Sequence, residues 1–153
     1  MYKGIAAALC GLLSLGATAQ VVADCDWVAS PANIQEPWAE HTRSFANGAI
    51  RVALLDTGGE PACCARHLLI VSPSGNGADE PVYRQCHVAS AQAGIGFYDL
   101  DVPGIVASYD LTKGLLLSVP VAHWHEGVGA GRPPIAERLE IRINQATGVV
   151  AIE

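Results

Sequence analysis

Turn-forming residues recur so often along this sequence that long helices do not fit between them. Glycine occurs 16 times and proline nine times in 153 residues. Asn47-Gly48 separates two β-type segments, and two similar turns run over Asp110–Gly114 and Asn144–Gly148. An Asx residue with a following glycine favours a hairpin, because glycine readily adopts the left-handed backbone conformation. The spacing of these turns predicts short antiparallel strands.

The segments between the turns have the periodicity of strands. Arg66–Val71 is a short apolar run, typical of a strand that is buried on both faces. Apolar and charged residues alternate over Arg138–Ile143, so that strand has one buried and one exposed face. About eight such segments, with turns every 8–12 residues or so, predict an all-β fold. We expect a small antiparallel β-sandwich or barrel, linked by disulfides.

The N-terminus has the three parts of a secretory signal peptide. Lys3 supplies a positive charge, residues 4–17 are uncharged, and Ala17-Thr18-Ala19 is a small-residue cleavage site. The apolar run is shorter than the roughly 20 residues that span a bilayer. We therefore expect residues 1–19 to be a signal peptide and residues 20–153 a single secreted β-rich domain. Cleavage before Asp24 is an alternative, and the predicted location is periplasmic or extracellular.

Four cysteines remain after this cleavage, and an even number in an exported domain predicts two disulfides. Neighbouring residues on a strand point to opposite faces, so Cys63 and Cys64 are expected to have different partners. A bond between two neighbours would also strain the peptide between them. A hairpin centred on Gly75 would place Cys64 opposite Cys86. The predicted pairs are therefore Cys64–Cys86 and Cys25–Cys63.

The charge of the chain argues against some partners and in favour of others. The net charge is −6, and there is no basic stripe to neutralise phosphates, so nucleic acid is not an expected partner. Nor does the mature chain contain an apolar segment of about 18 residues, so no membrane contact is expected. Opposite charge speeds encounter, which favours a basic exported protein as the partner. Trp27, Trp38 and Trp124 are candidate binding anchors, although tryptophans also fit a core.

His123 and His125 form the candidate metal site. Side chains alternate along a strand, so these two histidines would share a face, about 6.5 Å apart. Two imidazoles at this spacing can bind Zn or Cu. Glu126, His67 or His87 are candidates for the further ligands, the last two because their strands are expected to pair. The alternative is a pair of histidines at the rim of the fold with no metal.

Catalytic motifs are missing from the sequence. There is no G-x-S-x-G elbow and no phosphate-binding glycine loop, and oxidised cysteines cannot act as nucleophiles. We therefore expect an exported, non-enzymatic binding or accessory module without a cofactor, for example an inhibitor of a cationic protein. The alternatives are a metal-binding protein that uses His123 and His125, and a hydrolase without a recognisable motif.

Overall fold

The computed structural model describes residues 19–59, 63–78 and 81–153. The predicted signal peptide, apart from its last residue, lies outside these residues. Within them, no helix has the length and apolar character needed to cross a membrane. The one α-helix in the described residues, α1, is a single turn at Trp38–His41. The strands are β1 (Val21–Asp24), β2 (Thr42–Phe45), β3 (Ile50–Asp56), β4 (Arg66–Pro73), β5 (Arg84–Ser90), β6 (Asp99–Leu100), β7 (Val106–Asp110), β8 (Gly114–His123), β9 (Ile135–Ile143) and β10 (Val150–Ile152).

These strands form two antiparallel sheets. Sheet 1 has the order β1-β5-β4-β3-β2. Sheet 2 has the order β10-β9-β8-β6, and β7 pairs with β8 beside β6. The prediction of an all-β fold is confirmed, and the sandwich is the form it takes. The prediction of about eight strands is close to the ten seen in the described residues, two of which have only two or three residues.

One apolar core fills the space between the two sheets. Alternate residues of β3, β4, β8 and β9 point inwards, as the period of two requires. Burying these side chains supplies most of the stabilisation of the fold, at roughly 25 cal/mol per Å² of apolar surface. The core residues are Ile50, Val52, Leu54, Leu68, Ile70, Ala89, Phe97, Leu100, Val102, Ile105, Leu115, Leu117, Val119, Val121, Leu139, Ile141 and Ile143.

A short N-terminal segment covers part of the outer face of sheet 1. It contains two 3₁₀ helices, Trp27–Ala29 and Pro31–Asn33. Asp26 begins the first of them, because its Oδ1 accepts a hydrogen bond from the N–H of Val28 at 2.9 Å. Val28 then packs against Leu55 and Val88, forming a second, smaller apolar cluster. This segment therefore buries the outer face of the sheet where β3 and β5 would otherwise be exposed.

The predicted hairpins form at the expected turns. Residues 46–49 connect β2 to β3, and Ala46, Asn47 and Gly48 have φ of 50°, 55° and 82°. In the β7–β8 turn, hydrogen bonds from the Thr112 hydroxyl and from the N–H groups of Lys113 and Thr112 lower the pKa of Asp110 to about 2. Both turns thus use the Asx and glycine chemistry that the sequence predicts.

The predicted disulfide pairs are wrong, and Cys25 is bonded to Cys86 instead. Strand β1 pairs with β5 so that Asp24 lies opposite His87, and the N–H of Cys25 donates to the carbonyl of Cys86 at 3.2 Å. Cys25 therefore reaches Cys86 directly across the strand pair. Which strand lies beside β5 is a long-range feature that hairpin spacing does not reveal.

The β4–β5 hairpin also has a different register from the predicted one. Pro73 and Arg84 are the last paired residues, so the connection covers residues 74–83 and is not centred on Gly75. In this register Cys86 lies opposite Val71. Cys64 precedes the start of β4 and is bonded to its neighbour Cys63, the pair that the sequence argument rejected. The vicinal bond forms outside the strands, where neighbouring side chains need not point to opposite faces.

Candidate functional site

A cleft opens at the end of the sandwich where β8 stops and β9 begins. Its volume is about 530 Å³, and we refer to it as the end cleft. It lies between the two sheets, at the point where the aliphatic core gives way to polar and aromatic side chains. Its lining residues are Cys63, Cys64, Ala91, Gln92, Ile95, Gly96, Tyr98, His123, Trp124, Ile135 and Glu137.

An imidazole–carboxylate pair is the polar centre of the end cleft. His123 follows Val119 and Val121 in the inward phase of β8, and Glu137 precedes Leu139 in the inward phase of β9. The pairing of β8 with β9 brings the two together, with His123 Nε2 2.8 Å from Glu137 Oε2. A carboxylate only accepts hydrogen bonds, so Nε2 is the donor in this contact.

Two further contacts fix the position of this pair. The edge of the His123 ring meets the ring of Phe97, which is fully buried, with 5.5 Å between the ring centroids. The side-chain amide of Gln20 donates to Oε2 of Glu137 at 3.1 Å. The core thus positions His123 through Phe97, and the N-terminal segment positions Glu137 through Gln20. Half of the Glu137 side chain nevertheless remains exposed, at 50%.

Aromatic and sulfur surfaces surround the pair. Trp124 and Tyr98 line the end cleft and are both exposed. The Cys63–Cys64 disulfide forms another part of the lining. The described lining residues include no serine, threonine or free thiol beside His123. The arrangement therefore offers a ligand one carboxylate, hydrogen-bonding groups and aromatic faces.

The three tryptophans predicted as anchors are all on the surface. Trp27 is 68% exposed, Trp38 is 54% exposed and Trp124 is 42% exposed, so a core role is excluded. Trp27 lies in the N-terminal segment on the outer face of sheet 1, and Trp38 lies in α1. Trp124 alone of the three lines the end cleft. It is therefore the tryptophan placed to contact a ligand there.

His123 and His125 do not share a strand face as predicted, because β8 ends at His123. His125 caps the 3₁₀ helix that follows, Glu126–Ala130. Its Nδ1 accepts from the N–H of Gly127 at 3.1 Å, and its Nε2 lies 2.9 Å from the carbonyl oxygen of Pro133. Both ring nitrogens of His125 are therefore occupied by the backbone.

The other predicted ligands lie away from the His123 ring. His67 and His87 are on β4 and β5, which do pair as expected, but in sheet 1. His67 is 2% exposed, with Nδ1 2.8 Å from the Ser90 hydroxyl. His87 Nε2 lies 3.6 Å from Oδ1 of Asp24. Across residues 19–59, 63–78 and 81–153, no three His, Cys, Asp or Glu side chains are grouped to hold a metal ion.

Burial also affects the charge of His67. Desolvation lowers the pKa of His67 below 6.5, and the nearby carboxylates of Asp26 and Asp56 oppose this effect only in part. Burial thus favours the neutral form of this histidine. It has a structural role under the N-terminal segment and lies outside the end cleft.

The sequence reasoning missed Glu137, Tyr98 and the vicinal disulfide. A signal for Glu137 was present, because it stands two positions before Leu139 in the inward phase of β9. A carboxylate at a position that should face the core indicates that the core ends there. Tyr98 and Cys63 carry no such signal, since they come to the end cleft from loops.

The comparisons with known proteins give no relative. No family model, no curated protein and no solved structure matches the chain. The function is therefore argued from the geometry of the end cleft.

Proposed function

We propose that this chain is an exported, non-enzymatic binding module whose binding site is the end cleft. One observation carries the proposal: the inward positions of β8 and β9 change from aliphatic residues to the His123–Glu137 pair where the cleft opens. A core needs no imidazole–carboxylate pair, and removing polar groups from water is unfavourable. A largely preformed cleft with a few converging polar groups is the usual form of a binding site.

The partner that this site favours is a basic exported protein that inserts an arginine or lysine side chain. No described lining residue of the end cleft is a lysine or arginine. The half-exposed carboxylate of Glu137 is the charge that would bind the cation. Trp124 and Tyr98 offer aromatic faces, which attract ammonium and guanidinium groups at short range. The net charge of −6 would speed the encounter with such a protein.

Export is supported by the two disulfides and by the predicted leader. Disulfides persist in oxidising compartments such as the periplasm and the extracellular space. The predicted cleavage point directly precedes Gln20, whose side chain contacts Glu137. Intact mass spectrometry of exported protein should give residues 20–153 less four hydrogens. An unprocessed chain in the exported fraction would contradict this part of the proposal.

The binding proposal is tested with an oligoarginine peptide as the probe. Titration calorimetry on the purified mature domain should show binding that weakens as salt is added, because salt screens charge attraction. Glu137→Gln should abolish most of this binding. Glu140→Gln is the matched control, because it removes the same charge from the same strand. The native Glu140 carboxylate accepts a hydrogen bond from the Ser118 hydroxyl and does not line the end cleft. Equal losses in both variants would mean that net charge, and not the end cleft, binds the peptide.

A further inference from the structure

The two disulfides differ in the length of chain that each one closes. Cys25 and Cys86 are 61 residues apart in the sequence, whereas Cys63 and Cys64 are adjacent. A disulfide stabilises a fold mainly by restricting the unfolded chain, and this restriction grows with the length of the closed loop. A bond between neighbours closes almost no loop. Its effect on the molecule is therefore local, at the place where it lies.

The Cys63–Cys64 disulfide lies where two clefts adjoin. Cys63 lines the end cleft and also an adjoining cleft of about 600 Å³, whose lining includes Asp56, Arg66 and Asp99. Cys63 is partly exposed, but Cys64 is only 7% exposed. Both cysteines line the end cleft, but Cys63 alone also lines the adjoining one, so Cys63 is the more accessible of the two to an incoming thiol.

The backbone around Cys64 is held by contacts that do not involve the sulfur atoms. The carbonyl of Cys64 accepts from the N–H of Gly96 at 2.8 Å. Beside it, Arg66 and Phe97 exchange two backbone hydrogen bonds, of 2.6 and 3.3 Å. A Cβ atom on Gly96 would lie 2.5 Å from the carbonyl oxygen of Arg66, so this close approach requires glycine. Opening the disulfide therefore leaves Cys64 in place.

We propose that Cys63–Cys64 is a reversible thiol-exchange site for small thiols, with Cys63 as the sulfur that is attacked. An incoming thiolate forms a new bond to Sγ of Cys63, and the bond between the two Sγ atoms breaks. The electron pair leaves with Sγ of Cys64, which takes a proton from water. The product is a mixed disulfide at Cys63 and a thiol at Cys64. Attack by Cys64 on Cys63 reverses the step and releases the small thiol.

The exchange has a consequence for the proposed binding site. A small thiol attached to Cys63 stands in the wall of the end cleft, beside Trp124 and Glu137. The adduct would therefore compete with a ligand for the same space. The exchange itself rests on the disulfide and its surroundings, and it holds whether or not the end cleft binds a basic protein.

The first test treats the oxidised, native protein with reduced glutathione. Acid quenching, alkylation of free thiols and peptide mass spectrometry then locate the adduct. We expect glutathione on Cys63, an alkylated thiol on Cys64, and an intact Cys25–Cys86 bond. Adduct on Cys64, opening of Cys25–Cys86 at the same rate, or no adduct until the protein is denatured would each overturn the proposal.

A second test uses the matched variants Cys64→Ser and Cys63→Ser, each of which leaves one free thiol. With oxidised glutathione as the probe, the Cys63 thiol should react about tenfold faster than the Cys64 thiol, because the rate of thiol–disulfide exchange depends on access to the sulfur as well as on its thiolate fraction. Equal or reversed rates would overturn the assignment of Cys63 as the attacked sulfur. Circular dichroism of both variants checks that they are folded, and the wild-type experiment decides the matter if either is not.

Discussion

The middle of the sandwich and its open end are both lined by inward-facing residues of the same two strands. In the middle, β8 and β9 contribute Leu117 and Ile141, which are fully buried. At the end, they contribute His123, Glu137 and Ile135, which line the end cleft. The ladder between β8 and β9 is continuous from one region to the other. The aliphatic residues in the middle pack in the core, while the ends of the same strands carry groups that the core does not need.

The two regions should differ most when the same residue type is truncated in each of them. Ile141 is 0% exposed and Ile135 is 56% exposed, on the same face of β9. Ile141→Ala should lower the free energy of unfolding by about 2–5 kcal/mol, because it leaves a cavity. Ile135→Ala should cost less than about 1 kcal/mol, because it leaves no cavity. Urea unfolding of both variants measures the difference, and equal costs would show that the end cleft is part of the core.

The two disulfides should differ in how much they stabilise the fold. Replacing Cys25 and Cys86 by serine should cost about 4 kcal/mol, the loop-entropy value for a separation of 61 residues. Replacing Cys63 and Cys64 by serine should change the free energy of unfolding little, since that bond closes almost no loop. Thermal and urea unfolding of the two double variants provide the measurement. A larger loss in the Cys63/Cys64 variant would mean that the vicinal bond stabilises the fold as a whole.

Lowering the pH should reduce the stability of the fold through the buried His67. Its pKa is lowered in the folded state by burial, so below pH 6.5 the unfolded chain binds the proton more strongly than the folded chain. This contribution lowers stability as the pH falls through 6.5 towards the folded-state pKa. We expect the decrease in melting temperature on acidification to be smaller in His67→Gln than in the wild type. His125→Gln, which changes a partly exposed histidine, is the control, and parallel decreases in all three proteins would exclude His67 as the cause.

The smallest effect on stability is expected at the polar pair itself. His123 and Glu137 have side-chain exposures of 25% and 50%. The coupling energy of a partly exposed imidazole–carboxylate pair is expected to be about 0–1 kcal/mol, the range of exposed ion pairs. A double-mutant cycle with His123→Ala and Glu137→Gln should give a value in this range. A coupling above about 2 kcal/mol would mean that the pair is a structural lock of the sandwich.

The sequence was sufficient to predict features that depend on local patterns. Burial on one side of a strand imposes a period of two, so Leu139, Ile141 and Ile143 were correctly predicted to share a face, and all three are fully buried. Turn chemistry is local as well, and the turns at Asn47-Gly48 and Asp110–Gly114 form where predicted. These patterns are sufficient for the fold class.

Long-range pairing was not predictable in the same way. The Cys25–Cys86 bond follows from β1 lying beside β5, and neither segment carries a local sign of its neighbour. The predicted hairpin register failed because the β4–β5 connection is longer than the turn at Gly75 indicates. In the candidate site, too, the local feature was predictable and the long-range one was not. His123 was singled out by its phase on β8, but its partner Glu137 depends on the β8–β9 register.

Nuclear magnetic resonance of the three tryptophan indole N–H groups shows whether the end cleft is the binding site. The three signals are assigned with single Trp→Phe variants, and oligoarginine is then added to the wild-type protein. If the end cleft is the binding site, the Trp124 signal shifts while those of Trp27 and Trp38 stay in place, and Glu137→Gln removes the shift. A shift of Trp27 or Trp38 alone, or a Trp124 shift that persists in Glu137→Gln, would contradict the account.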